Sequence, residues 1–92
     1  MVVTWDEAKR RANLKKHGLD FADVERFDWE TALVQEDRAM DYGETRWMAI
    51  GWIDQLVVLF FVDISDENIR IISLRKATKA EKRRYVKETQ GL

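Results

Sequence analysis

An α+β fold follows from three features of this 92-residue chain. Leu56 to Val62 is apolar at every position, as a central strand covered on both faces is. Two segments around it, Arg46–Ile53 and Ile69–Lys76, alternate with the period of a strand. Helix boundary signals stand near both ends, Asp6 with Gly18 and Thr78 with Glu81. Together they predict a small, mostly antiparallel sheet with the Leu56–Val62 strand in its centre. An N-terminal helical pair should lie on one face, and a C-terminal helix should complete the domain.

In chain order, Val2 to Trp5 reads as a short first strand. Asp6 is a good N-cap for a helix from Glu7 to His17, and Gly18 can end it in the left-handed conformation. Lys9, Asn13 and Lys16 fall on one stripe of that helix, either solvated or lining a site. Ala8, Ala12 and Leu14 are its few apolar side chains and predict a narrow packed side. Asp20 restarts a helix whose buried side is Phe21, Val24 and Phe27, with Leu19 and Val24 spaced as a hydrophobic staple. Asp28 to Thr31 is a loop, Leu33 and Val34 begin a strand, and Gly43 supplies a turn. Asp54-Gln55 is a tight connection between strands, and Ser65 to Asn68 is another turn. In the last strand Ile69, Ile71, Ser73 and Arg75 should share one face, and Arg70, Ile72, Leu74 and Lys76 the other. Thr78 and Glu81 form a capping box for a helix running to about residue 88. Trp5, Phe21, Val24, Phe27, Ile50, Val58, Phe60, Ile72 and Leu74 are the expected core.

The length fits one domain, residues 1–92, with a single modest core. Aromatic residues make up 11% of the chain, too many for a disordered segment. Without cysteine, disulfides and thiolate metal sites are excluded. No signal peptide stands at the start, and the apolar run is too short to span a bilayer, so a cytoplasmic protein without membrane contact is expected. There is one histidine, no His-Glu-x-x-His, no glycine-rich phosphate loop and no nucleophile elbow. No metal and no cofactor is therefore expected.

The net charge of -1 conceals segregation. Residues 1–18 carry five Lys/Arg against two Asp/Glu, residues 19–68 three against thirteen, and residues 69–92 eight against two. If the basic ends meet, they form a cationic patch suited to a phosphate-rich partner. Arg75 stands at the end of a strand just before a helix N-terminus, a place that suits an anion. The residues with chemistry to offer are Lys9, His17, Glu44, Arg46, Arg75 and Tyr85. Such a set suits metal-free RNA cleavage, with Arg46 and Arg75 as phosphate clamps and His17 or Glu44 moving protons. Lys16, Lys76, Lys79 and Arg83 would bind RNA around them. The strand end should place Arg75 at the mouth of a cleft between the sheet and the first helix, facing Lys9 or His17. Each candidate also has a structural reading. His17 can serve the helix dipole, Glu44 can simply pair with Arg46, and Tyr85 can be a core ring with a hydrogen-bonded hydroxyl.

Three stretches resemble the BrnT toxin family. The first is Trp5-Asp6-x-x-Lys9-x-x-x-Asn13-x-x-Lys16-His17-Gly18 with Phe21, and the second is Gly43-Glu44-x-Arg46 with Ile50-Gly51. The third is Arg70-Ile71-Ile72-Ser73-x-Arg75-Lys76-Ala77-Thr78-x-x-Glu81 with Tyr85. Leu74 departs from the family's usual small residue, and Glu7 from a common proline. The resemblance implies a RelE-like fold and a type II ribonuclease toxin that arrests translation. It also implies neutralisation by a cognate BrnA-like antitoxin, in a complex of two toxins and two antitoxins. Operator DNA would then be reached only through the antitoxin. A non-catalytic nucleic-acid-binding module and a protein-interaction module are the rival readings.

Overall fold

The computed structural model of this protein describes residues 1–90. The elements are β1 (Val2–Trp5), α1 (Glu7–His17), a 3-10 helix (Phe21–Arg26), β2 (Leu33–Asp37), β3 (Arg46–Ile53), β4 (Gln55–Ser65), β5 (Asn68–Lys76) and α2 (Lys79–Thr89). Local chemistry sets the boundaries. Asp6 starts α1 by accepting from the backbone N–H of Ala8 at 2.8 Å and of Lys9 at 3.3 Å. Gly18 ends it at φ 71°, donating its own N–H to the Leu14 carbonyl at 2.8 Å. The capping box at α2 is closed in both directions, Glu81 N–H to Thr78 Oγ1 at 3.2 Å and Thr78 N–H to Glu81 Oε1 at 2.8 Å.

The strands form one sheet in the order β1-β5-β4-β3-β2. Only β1 and β5 run parallel. β4 is central, as its two-faced apolar run predicts, and Val57, Val58 and Leu59 are wholly buried. Its odd-numbered residues Val57, Leu59 and Phe61 face the 3-10 helix, meeting Phe21, Val24 and Phe27. Its even-numbered residues Leu56 and Val58 face α2, meeting Ile50, Ala77 and Tyr85. Gly51 is required for the first packing, because a Cβ there would stand 2.6 Å from the Phe27 ring. Burial of each large apolar side chain contributes roughly 1.5–3 kcal/mol.

Four expectations need correction. The second member of the helical pair is a six-residue 3-10 helix. Ala8, Ala12 and Leu14 are exposed, so α1 does not dock through them. It docks through Asn13, which is 7% exposed. The Asn13 amide donates to the Leu74 carbonyl at 2.8 Å and to the Leu19 carbonyl at 3.1 Å, and accepts from the Leu74 N–H at 3.1 Å. It thus continues the pairing of the β5 edge past the end of β1, whose last partner is Ile71. In β5 the strict alternation fails. The register shifts between Phe60, which pairs with Ser73, and Phe61, which pairs with Ile71. Ile72 is the extra residue, so Leu74 joins Ile69 and Ile71 in the core under the 3-10 helix. Arg70 and Arg75 both emerge on the opposite face. Finally, Trp5, Phe60 and Ile72 of the expected core are half-buried rather than enclosed.

Candidate active site

Three arginines share the sheet face that carries α2. Arg46 lies on β3 in alternation with Met48 and Ile50, and Arg70 and Arg75 lie on β5. Trp47 pairs with Phe61, and Arg70 with Val62, so Arg46 and Arg70 flank Val62 from the two neighbouring strands. Arg75 pairs with Val58, four residues along β4 or about 13 Å at the usual strand rise. α2 covers the face at Ile50, Leu56 and Val58, and the arginines beside Val62 lie beyond it.

Arg46 and Arg70 share one carboxylate. Arg70 Nη2 donates to Glu44 Oε1 at 3.0 Å, and Arg46 Nε stands 3.5 Å from Glu44 Oε2. The second distance is an ion pair without a hydrogen bond, so Arg46 Nε is a buried donor without an acceptor. The Arg46 guanidinium is instead supported from below, 4.0 Å from the centre of the Tyr42 ring. The Tyr42 hydroxyl donates to Asp37 at 3.2 Å. Burial, then this bond, raises its pKa and keeps the phenol neutral under the guanidinium. Glu44 is thus divided between two guanidinium groups, and the Asp37 carboxylate, opposite Arg46 in the strand register, reaches them only through the Tyr42 hydroxyl.

Arg75 is balanced. Its Nη1 and Nη2 donate to Glu81 Oε1 and Oε2 at 2.8 and 2.9 Å, a two-bonded fork, and its guanidinium lies 5.5 Å from the Phe60 ring centre. The Glu81 carboxylate is held down to about 2, first by Arg75 and against the cost of its burial. The same bond raises Arg75. The anion predicted at this strand–helix junction is therefore the protein's own Glu81.

Lys9 reaches the site from α1. With Asp6, Arg70, Ile71 and Ile72 it lines a groove of about 240 Å³. The structure thus assembles Glu44, Arg46 and Lys9 around Arg70, a residue the sequence reading left on the strand without a role. Tyr42 was also missed. Arg75 faces Glu81 and Phe60, not Lys9 or His17. His17 is half-buried in the last turn of α1. Tyr85 is 3% exposed, and its hydroxyl is satisfied twice. It donates to the Thr31 carbonyl at 3.0 Å and accepts from Trp52 Nε1 at 3.2 Å, as a structural ring does. Lys16, Lys76, Lys79 and Arg83 are exposed. Among the described residues, no group of three or more His, Cys, Asp or Glu side chains is placed to hold a metal ion, and no helix is long and apolar enough to cross a membrane.

The chain as a whole resembles known proteins. Residues 5–81 match the sequence model of the family described as "Ribonuclease toxin, BrnT, of type II toxin-antitoxin system". Among solved structures, the chain is similar to the 1.1 Å crystal structure of the Brucella abortus ribonuclease toxin BrnT. The identity is 36% and the TM-score 0.71, with 86% of this chain and 99% of that one covered. No curated protein matches the sequence.

Proposed function

Since this chain belongs to the BrnT family of ribonuclease toxins of type II toxin–antitoxin systems, we propose that it cleaves RNA without a metal ion on the face shared by Arg46, Glu44 and Arg70. The observation that carries this reading is the convergence there of two guanidinium groups on one carboxylate, with Arg46 held over the Tyr42 ring. Glu44 takes the proton from a 2′-hydroxyl, which attacks the adjacent phosphorus. Arg46, Arg70 and Lys9 stabilise the dianionic transition state. The P–O5′ bond breaks, Lys9 protonates the leaving oxygen, and a 2′,3′-cyclic phosphate remains. Arg75, tied to Glu81, braces the start of α2 rather than holding the scissile phosphate. Lys16, Lys76, Lys79 and Arg83 add salt-dependent binding.

The cell-level reading rests on the family. Cleavage in the cytoplasm arrests translation, and a cognate BrnA-like antitoxin neutralises it in a complex of two toxins and two antitoxins. The antitoxin alone contacts operator DNA. Residues 1–92 act as one toxin domain. Incubating the purified chain with a defined RNA in EDTA tests the reaction. A cyclic-phosphate product is expected. Binding without cleavage would make the protein a nucleic-acid-binding module, and neither result would leave a protein-interaction module.

A further inference from the structure

The opposite face of the sheet holds a different kind of opening. Between β1 and the 3-10 helix lies a cleft of about 490 Å³ lined by Val3, Trp5, Phe21, Ala22, Glu25 and Trp29 among others. Its aromatic walls are fixed. Trp5 stands edge-on to Phe21 at 6.3 Å, and Trp29 is packed against Phe27 at 4.8 Å and Phe61 at 5.4 Å. Fixed aromatic rings offer large contact area with little ordering cost on binding. The cleft runs beside an unused sheet edge, since β1 is terminal in the sheet and pairs with β5 alone. An extended peptide can add to such an edge and drop alternate side chains into the cleft.

Charge decides what that peptide is. Glu25 lines the cleft, and the segment Asp20–Glu30 that supplies this wall carries five carboxylates against one arginine, with Asp20 tied to Arg10 and Asp23 near Arg26. Such a wall favours a cationic segment over a polyanion. We propose that the cleft and the β1 edge seat an extended antitoxin segment rich in lysine or arginine with an apolar side chain as its anchor. This rests on the reading that an antitoxin neutralises the chain. It places that partner on the face away from Arg46, Glu44 and Arg70.

The test uses two surface substitutions outside the cleavage site. Ala22→Trp fills the cleft, and Glu25→Lys reverses the charge of its wall. Affinity for the antitoxin encoded with this chain is measured by titration calorimetry, and RNA cleavage is measured on the same preparations. Each variant should bind at least tenfold more weakly while cleaving like wild type. Unchanged antitoxin affinity overturns the proposal, as does loss of cleavage with antitoxin binding intact. Should a variant fail to fold, the indole N–H signals of the wild-type protein decide. Antitoxin should shift those of Trp5 and Trp29, and unmoved signals overturn the proposal. Wild-type cleavage is scored separately, so failure of the ribonuclease reading is told apart from failure of the docking surface.

Discussion

Two arginine–carboxylate sites lie about 13 Å apart on one sheet face, and they differ in balance. At Arg75 one guanidinium meets one carboxylate through two short bonds, and the carboxylate also closes the helix cap. At Glu44 one carboxylate is divided between Arg70 and Arg46, and a buried donor is left over. The first arrangement is satisfied and gains nothing further from an incoming anion without losing something. In the second, the Arg46 guanidinium rests on a ring face and is partly exposed, so its Nη groups can still take a phosphate oxygen. Sequence gives both sites the same ingredients, and only geometry separates a brace from a receptor.

The sharpest way to break this comparison is at the unbalanced site. Glu44→Gln keeps the size of the side chain but removes the base, and cleavage should fall by about 10²–10⁴. Arg46→Ala should lose about 10²–10³ with little change in melting temperature, and Arg46→Lys should recover little because the planar fork is gone. Near-wild-type cleavage by folded Arg46→Ala would remove the site from the mechanism. Arg75→Ala should behave in the opposite sense. It leaves Glu81 without its partner, so the cost is on the order of 1–3 kcal/mol of stability by urea unfolding. Its cleavage, measured where the protein is folded, should drop tenfold or less. Equal losses of rate for Arg46→Ala and Arg75→Ala would erase the distinction.

Acid sharpens the contrast further. The folded Glu81 carboxyl titrates at about 2, below the ordinary value of 4.5. Its contribution to stability is therefore fully present above pH 4.5 and lost as the pH falls from 4.5 toward 2. Glu81→Gln should flatten that part of the stability profile. An unchanged acid limb would mean that the pair is not what holds this junction. The smallest effect is expected at the cap itself, where Thr78→Ala should cost about 1 kcal/mol in thermal unfolding.

Much of this was legible in the residues. Asp6, Gly18, Thr78 and Glu81 mark helix ends through local hydrogen bonds, which depend on neighbours in sequence. The central strand was legible because both its faces are apolar. The candidate active face was not fully legible, because one extra residue in β5 inverts the alternation after Ile71. A period-two reading puts Leu74 with Arg70, whereas the bulge sends Leu74 to the core and leaves Arg70 beside Glu44. The roles of Arg70 and Glu81 depend on contacts between β5 and the chain on either side of it, which spacing alone does not encode. Tyr85 was ambiguous for the same reason, since its acceptor on Thr31 is 54 residues away.

Asn13 has a consequence for the proposed site that its burial alone does not suggest. Its amide is clipped to Leu74, and four residues of helix carry the chain about 6 Å back to Lys9. Two residues of β5 cover nearly the same length, which brings Lys9 level with Ile72, where it lines the groove. The first helix thus works as a measuring stick, zeroed on the sheet by one side chain and read off at the ammonium group. Inserting a single alanine between Lys9 and Asn13 would swing that ammonium about 100° around the helix. The clip itself would stay fastened, and the reach of Lys9 into the groove would be lost.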